Sequence, residues 1–370
     1  MTMGSAINPV ANIHIKHCNI GAYKGLQNIE LRDLNVINVL TGNNNSGKTS
    51  ILELLETLED PENIYRWYAG VRFWNARYRS SQVFDGIRLL FPIDSQEYKI
   101  LYSFMEASGD EHSIELHADI EERKFSSEQI YQINKRYGMF PDESDSGYII
   151  DGKCMNLTSI IDGKQNDAVT IYDFQGDLLR RIVEKKIVFF KTLYLSTVAH
   201  VSHRFSLSDI LRDAEMHQSL VDLLKIFDAN IKNITIINER PVEYGFVLDN
   251  CNEAIPISSF GDGMKKTIIL AAYLLQAKDG ILLVDEFETA IHTSAMDEVF
   301  AWMVEAALRL NVQIFMTSHS EEAINKLLRI GYKEYINVYT LYKHEGINYV
   351  RRLAGEEAIH ATDTLRMDLR

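Results

Sequence analysis

The pattern of apolar and polar positions predicts a chain that mixes buried strands with amphipathic helices. Largely apolar runs rich in β-branched residues are typical of strands that a sheet buries on both faces, and alternation is typical of strands with one exposed face. Apolar residues at helical spacing predict helices. Buried strands are predicted at 36–40, 281–284 and 312–316, antiparallel strands at 13–20, 28–32, 99–104 and 113–116, and helices at 50–58, 121–136, 206–229 and 267–275.

These elements indicate an α/β fold with a mixed or parallel central sheet flanked by helices. We predict a single domain in two lobes. Residues 1–95 form an N-terminal lobe that includes an antiparallel β-subdomain, and residues 206–370 form a C-terminal lobe. Residues 96–205 form a middle insertion of strands and helices. With 370 residues, of which 46% are hydrophobic, the chain can bury a large core.

The stretch between the first buried strand and the helix at 50–58 predicts a phosphate-binding loop rather than an ordinary glycine-rich turn. Glycines let the backbone point its N–H groups at a phosphate, and the N-terminus of the next helix favours the same anion. Lys48 supplies a charge to the β- and γ-phosphates, and the Thr49 hydroxyl can bind Mg²⁺. The predicted ATP and Mg²⁺ site is Gly42-Asn43-Asn44-Asn45-Ser46-Gly47-Lys48-Thr49-Ser50.

Two later strands end in side chains that suit phosphate hydrolysis. The run at 281–284 ends in Asp285 and Glu286, which a parallel strand would bring to the carboxyl edge of its sheet. There Asp285 would bind Mg²⁺, and Glu286 would polarise the attacking water. The next buried strand ends near His319, which we expect to contact the γ-phosphate. The alternative is an incidental histidine beside the helix cap Ser320.

A second glycine-containing segment precedes the helix at 267–275. Small residues at a helix start expose backbone N–H groups to an anion. Because one chain has little use for two phosphate cradles, we predict that this segment faces the nucleotide of a second subunit. The residues concerned are Ser259, Gly261, Asp262 and Gly263.

The net charge of the chain disfavours nucleic acid as a partner. Lys and Arg number 38 against 52 Asp and Glu, a net charge of −14 that repels nucleic acid. Any DNA contact therefore needs a local basic patch or a partner. The segment 65–79 mixes aromatic residues with Arg66, Arg72, Arg77 and Arg79. This composition suits nucleic-acid contact, although aromatics packed inward beside solvated arginines explain it better.

The cysteines and the hydropathy indicate the cellular compartment. The three cysteines are isolated, with no CxxC pair, and so favour neither a zinc site nor disulfides. No apolar stretch is long enough to span a bilayer, and the N-terminus lacks the features of a signal peptide. We expect a cytoplasmic protein that does not engage membranes.

With these motifs the chain resembles the ABC-type ATPase heads of the RecF, SMC and OLD (overcoming lysogenisation defect) group. The resemblance covers roughly residues 11–60 and 230–330 and leaves the middle unmatched. It implies a P-loop NTPase fold of ABC-ATPase type. In this comparison 42–49 is similar to the Walker A loop, 281–285 to Walker B, Glu286 to the catalytic glutamate, His319 to the switch histidine, and Gly261-Asp262-Gly263 to the signature loop that completes a partner's site.

Three positions depart from the family pattern. Gly261 replaces the usual serine of the signature loop, so that a γ-phosphate contact would come from Ser259, from the backbone, or not at all. His292 stands where SMC-like heads carry Asp, which is closer to the OLD-type pattern. The glutamine-loop residue is not assigned, with Gln82, Gln96 and Gln175 as candidates.

The resemblance implies a stand-alone ATPase of bacterial defence type. We expect a homodimer or higher even oligomer that controls a separately encoded nuclease or toxin, in anti-phage defence. The remaining tail is too short for the TOPRIM nuclease of OLD proteins, so the effector would act in trans. The alternatives are a RecF-like DNA-binding ATPase of DNA repair and a nucleotide-gated scaffold with little turnover.

Overall fold

The computed structural model describes residues 12–71, 80–93, 97–136, 147–174, 186–197, 206–291 and 295–369. The chain forms two compact units. The first comprises Met1–His17, Leu31–Leu52 and Phe190–Arg370, and the second comprises Cys18–Glu30 and Glu53–Phe189. The three-segment division at residues 95 and 205 stays a prediction.

The strands and helices are numbered here in chain order. The strands are β1 (Ile15–Tyr23), β2 (Leu26–Leu31), β3 (Ile37–Gly42), β4 (Tyr98–Glu106), β5 (Glu111–Ser126), β6 (Ile149–Ile161), β7 (Lys164–Gln165), β8 (Val169–Tyr172), β9 (Thr192–Leu195), β10 (Ile231–Glu239), β11 (Val242–Leu248), β12 (Ile255–Pro256), β13 (Ile281–Val284), β14 (Gln313–Thr317), β15 (Ile336–His344) and β16 (Ile347–Ala354). The helices are α1 (Lys48–Glu56), α2 (Ser80–Arg88), α3 (Ser127–Arg136), α4 (Ser208–Arg212), α5 (Ala214–Leu224), α6 (Asp262–Gln276), α7 (Met296–Leu310), α8 (Glu321–Arg329) and α9 (Gly355–Asp363).

The first unit is organised around a mixed sheet in the order β16-β15-β3-β14-β13-β9. All neighbouring pairs are parallel except β15 with β16, which is antiparallel. Every residue of β3, β13 and β14 is buried, as expected for strands covered on both faces. The predicted buried strands and the mixed central sheet are thereby confirmed. Because these strands run parallel, their carboxyl ends meet at one edge of the sheet.

Helices α5 to α8 contribute apolar side chains to the core of this unit. The single helix predicted at 206–229 was wrong. The backbone of Asp213 is extended, and its carboxylate accepts the N–H groups of Glu215 and Met216. Asp213 therefore ends α4 and caps α5, because a short acidic side chain competes with helical hydrogen bonding.

The second unit is built on a sheet in the order β2-β1-β4-β5-β6-β7, with β8 also paired to β6. Strands β4, β5 and β6 are antiparallel, and the alternation predicted this for 99–104 in β4 and 113–116 in β5. The helix predicted from residue 121 was wrong at its start. Glu121 pairs with Cys154 and Ser126 with Ile149, so β5 continues to residue 126 and α3 begins only at Ser127. Pairing with β6 outweighs the charged composition of this segment.

Within the part of the chain that the structure describes, each helix is too short or too polar to cross a bilayer.

Candidate nucleotide-binding site

The predicted phosphate loop connects β3 to α1 in the first unit. Gly42 has φ +133°, and a Cβ atom there would lie 2.0 Å from the carbonyl oxygen of Leu341 in β15. Gly47 has φ +98°. Both backbones therefore require glycine, the first for close approach as well as conformation. The loop closes through a hydrogen bond of 3.2 Å from the Ser46 N–H to the Asn43 carbonyl.

Lys48 lies inside the curve of this loop. Its side chain is 4% exposed, and its Nζ donates hydrogen bonds to the carbonyl oxygens of Gly42 (2.8 Å) and Asn43 (2.9 Å). Burial lowers the pKa of Lys48, whereas the carboxylates of Asp285 and Glu286 act to raise it. The cation is thus held at the loop by backbone oxygens.

The remaining loop residues divide by exposure. Asn43, Asn44 and Asn45 are exposed, and Ser46 and Ser50 are buried. The Ser46 hydroxyl is buried without a hydrogen-bond partner among the described residues. It could therefore donate to an anionic oxygen bound in the loop, which fits the predicted phosphate ligand.

The Asp285 carboxylate joins the loop to the two central strands. It follows β13 directly, and its Oδ1 accepts hydrogen bonds from Thr49 Oγ1 (3.1 Å) and Thr317 Oγ1 (2.6 Å). Thr317 is the last residue of the neighbouring β14. Carboxylate and hydroxyl oxygens are ligands that suit Mg²⁺, so Asp285 and Thr49 fit the predicted metal.

Glu286 is held in a left-handed backbone conformation, with φ 49° and ψ 61°. This conformation costs a residue with a Cβ about 1–2 kcal/mol. Three hydrogen bonds maintain it: the Glu286 N–H donates to Thr317 Oγ1 (2.8 Å), and its carbonyl accepts from the N–H and the hydroxyl of Thr289 (both 2.9 Å). Such strain at a site with phosphate-loop residues is a reason to infer a functional role.

The charge environment of Glu286 suits a general base. Burial raises its pKa, and the neighbouring carboxylates of Asp285 and Glu288 raise it further, while His319 and Lys48 act to lower it. A carboxylate with a raised pKa accepts a proton more readily near neutral pH.

His319 lies just after β14 and is held through its backbone N–H group. The His319 N–H donates to Glu288 Oε1 at 2.8 Å. Ser320 caps α8 by accepting the Ala323 N–H, as one alternative interpretation of this segment required. Capping by Ser320 and a role for His319 are compatible, because different atoms serve each.

The segment that resembles the signature loop lies at the start of α6. Gly261 precedes α6 with an extended backbone, and nothing lies within 4 Å of the Cβ position there. Ser259, Gly261 and Asp262 are exposed, and Gly263 is half-buried. Farther along α6, Lys266 Nζ donates to the Thr289 carbonyl at 2.9 Å. The segment is therefore open to an external ligand.

Sequence reasoning missed Thr317 and Glu288. Thr317 lies in an apolar strand, and nothing in its neighbourhood marks its hydroxyl as the bridge between Asp285 and Glu286. Glu288 lies two residues beyond Glu286, where a surface acid is the ordinary expectation. Only the pairing of β13 with β14 brings both side chains to the site.

Several predictions concern residues that the structure does not describe. His292, Gln96 and Gln175 lie outside the described residues, as do Arg72, Arg77 and Arg79, and the side chain of Gln82 is not described. The glutamine-loop residue, the OLD-type histidine and most of the basic segment stay predictions.

Several known proteins resemble this chain in sequence. The family described as "AAA domain, putative AbiEii toxin, Type IV TA system" matches residues 174–325, which include Asp285, Glu286 and His319. An uncharacterized protein of Methanocaldococcus jannaschii is 32% identical over 112 residues, which are 30% of this chain and 98% of that protein. The chain belongs to the same family as this archaeal protein. An ATP/GTP phosphatase of Helicobacter pylori is 23% identical over 331 residues, covering 85% of this chain and 87% of the relative.

A solved structure supports the fold. The Smc head domain with an extended coiled coil, bound to the C-terminal domain of ScpA and derived from Pyrococcus furiosus, gives a TM-score of 0.52 at 10% identity. The match covers 96% of this chain and 100% of that chain. The predicted P-loop NTPase fold of ABC-ATPase type is confirmed. The sequence matches are similar in kind, and together with this fold they point to ATPases of the broad ABC/AAA-like type.

Proposed function

We propose that this chain binds and hydrolyses ATP with Mg²⁺ at the edge formed by the phosphate loop, β13 and β14. The observation that carries the proposal is the Asp285 carboxylate, which accepts hydrogen bonds from Thr49 of the loop and Thr317 of β14 while Glu286 is held in a strained conformation beside it. A relative of similar length is named an ATP/GTP phosphatase, which supports the same chemistry.

Each residue has a defined task in this proposal. The loop amides of residues 42–49 and the Lys48 ammonium bind the phosphates. Ser50 lies in the first turn of the helix that follows the loop. Thr49 and Asp285 would hold Mg²⁺, which when bound neutralises charge on phosphate oxygens. Glu286 accepts a proton from the attacking water, and His319 contacts the γ-phosphate from the end of β14. Cleavage then produces ADP and phosphate.

The loop lysine is the first residue to test. Lys48→Ala should abolish ATP binding or turnover, because the loop loses the cation that faces the phosphates. Binding can be measured by isothermal titration calorimetry and turnover by phosphate release, with the exposed Lys225→Ala as the matched control. ATP hydrolysis at the wild-type rate by Lys48→Ala would contradict the proposal.

The finer proposal is a composite site in a homodimer or higher even oligomer. Its support is the exposure of Ser259, Gly261 and Asp262, with Gly263 beside them, on a helix start that suits an anion. We assign these residues to the nucleotide of a second subunit. We further propose that the assembly, an OLD-like ATPase of the cytoplasm, controls a separately encoded nuclease or toxin in anti-phage defence. The toxin–antitoxin description of the matching family supports this setting.

Mixing of two inactive variants tests the composite site. Lys48→Ala removes the lysine of the phosphate loop in its own chain. Gly263→Glu places a negative charge in the segment that would face a partner's phosphates. A mixed dimer contains one site with neither defect, so mixing should restore part of the ATPase activity. Two variants that stay inactive at every mixing ratio would indicate a site completed within one chain.

The two alternative functions have less support. A RecF-like DNA clamp needs a basic surface, but Arg66 is paired with Glu59 at 2.6 Å and the net charge is −14. Salt-dependent DNA binding by the purified protein would favour it. A scaffold with little turnover is favoured only by Gly261 at the signature position, and a measurable rate of phosphate release would exclude it.

A further inference from the structure

Glu288 and His319 are 31 residues apart in the chain and meet at the edge of the central sheet. Glu288 Oε1 accepts the backbone N–H of His319 at 2.8 Å. Glu288 belongs to the 3₁₀ turn Phe287–Ala290 that follows Glu286, and His319 lies between β14 and α8. The hydrogen bond therefore ties the turn that carries the proposed base to the segment that carries the histidine.

The turn that presents Glu288 is fixed to the core. Phe287 is 1% exposed, and its ring packs edge-on against Phe300 at 5.3 Å between centroids. The Glu286 carbonyl accepts two hydrogen bonds from Thr289 within the same turn. The Glu288 side chain is thus presented from a rigid base, which is the requirement for positioning another residue accurately.

The histidine segment depends on Glu288 at a defined atom. The Ser318 N–H donates to the Leu40 carbonyl (3.1 Å), and the Ser320 N–H donates to the Ser318 hydroxyl (3.0 Å). Between them the His319 N–H donates to Glu288. Loss of the Glu288 carboxylate would leave this amide without that acceptor and free the backbone at His319 to rotate.

We propose that Glu288 is a positioning residue for His319, acting through this hydrogen bond and not by contact with the nucleotide. The inference rests on the proposed function, in which His319 contacts the γ-phosphate. A displacement of about 1 Å at a reacting group can lower the rate on the order of 100-fold. Glu288→Ala should therefore lower kcat by about 10- to 100-fold and leave the KM for ATP within about twofold.

The conservative variant separates positioning from charge. Glu288→Gln keeps a side-chain oxygen that can accept the His319 N–H, and it should retain kcat within about threefold of wild type. The exposed Glu322→Ala is the control for loss of a carboxylate near this segment. Equal losses in Glu288→Ala and Glu288→Gln would overturn the inference, since the charge and not the hydrogen bond would then matter.

A double-mutant cycle with His319→Ala tests whether Glu288 acts through the histidine. If it does, adding Glu288→Ala to the His319→Ala protein should change kcat by less than about twofold, because the positioned side chain is already absent. Independent, multiplying effects would overturn the inference.

Amide hydrogen exchange gives a readout that does not depend on ATPase activity. The peptide that contains His319 should exchange faster in Glu288→Ala than in wild type, and Glu288→Gln should restore the slow rate. Unchanged exchange in Glu288→Ala overturns the inference even if the protein hydrolyses ATP. Faster exchange in a protein that shows no hydrolysis would instead overturn the proposed function and keep the hydrogen bond.

Discussion

Two groups of buried or half-buried acids in this molecule have different surroundings. In the second unit, Glu53 lies 2.6 Å from Lys24 Nζ, and Glu59 lies 2.6 Å from Arg66. Both glutamates are at most 2% exposed. Each acid is thus paired with a cation that is itself partly exposed, and pairing of this kind is how a fold tolerates a buried charge.

The acids of the first unit are held differently. Asp285 accepts hydrogen bonds from two hydroxyl groups, and Glu286 is fixed by its backbone. The nearby cation, Lys48, donates its hydrogen bonds to loop carbonyls. Negative charge therefore accumulates at this edge, where it can receive a metal ion or a proton. If Asp285 and Glu286 act as proposed, the difference teaches that the bonding partner of an acid, and not its burial, separates a structural carboxylate from a catalytic one.

The largest effect that would support this distinction is expected at Glu286. Glu286→Gln should keep ATP binding and lower kcat by about 10²- to 10³-fold, because one preorganised transition-state contact is lost. Phosphate release and nucleotide titration measure the two effects, with the exposed Glu298→Gln as control. Unchanged turnover would remove Glu286 from the catalytic group.

A smaller kinetic effect is expected at Thr317. Thr317→Val removes the hydroxyl that donates to Asp285 and accepts from the Glu286 N–H, so kcat should fall by about 10- to 100-fold. Thr317→Ser keeps both hydrogen bonds and serves as the control. If valine and serine variants had equal rates, the hydroxyl bridge would be irrelevant to the chemistry.

The paired acids should instead affect stability. Lys24→Ala removes the ammonium that lies 2.6 Å from Glu53 and donates to the Gly70 carbonyl at 2.6 Å. The free energy of unfolding should fall by about 3 kcal/mol. Denaturant titration measures it, and the ATP affinity of the folded protein should match wild type. A loss of ATP affinity without a loss of stability would break the comparison.

The smallest effect concerns pH. Burial raises the pKa of Glu56 to about 7, with Glu59 and Glu53 adding to the rise and Arg66 opposing it. In the folded state this carboxyl keeps its proton up to about pH 7, whereas in the unfolded chain it loses the proton near its ordinary pKa. Its contribution to stability is therefore complete below the unfolded pKa and is lost as the pH rises through about 7.

Substitution of Glu56 by glutamine should remove this dependence. The free energy of unfolding of wild type should fall by about 1–2 kcal/mol between pH 5 and 7, less than full linkage because the side chain is half-buried. Glu56→Gln should flatten the profile, and the exposed Glu111→Gln should not. Parallel profiles for wild type and Glu56→Gln would place the titration elsewhere.

Periodicity predicted the elements that make the central sheet but failed where a single residue or a distant strand decides. The apolar runs at β3, β13 and β14 predict strands that are buried on both faces of one sheet. The carboxyl ends of these strands were therefore expected at one edge, together with Lys48, Thr49 and Asp285. The break at Asp213 depends on a side chain that caps the following helix. The extension of β5 to Ser126 depends on β6, which lies 23 residues farther along the chain.

The site shows the same division between local and distant causes. Spacing predicted the loop, Asp285, Glu286 and His319, since each occupies the end of a strong element. The roles proposed for Thr317 and Glu288 depend on which strands are neighbours, and apolar periodicity does not reveal the strand order. The left-handed backbone of Glu286 has no local signal either, because glutamate rarely adopts it.

The backbone of Glu286 sets stability against activity at a single position. Glycine adopts φ 49° without the penalty that a Cβ imposes, so Glu286→Gly would relieve about 1 kcal/mol of strain while it deletes the proposed base. Selection for a more stable fold and selection for turnover therefore oppose each other here. An inactive variant of this protein that melts at a higher temperature than its parent is a natural outcome of that conflict.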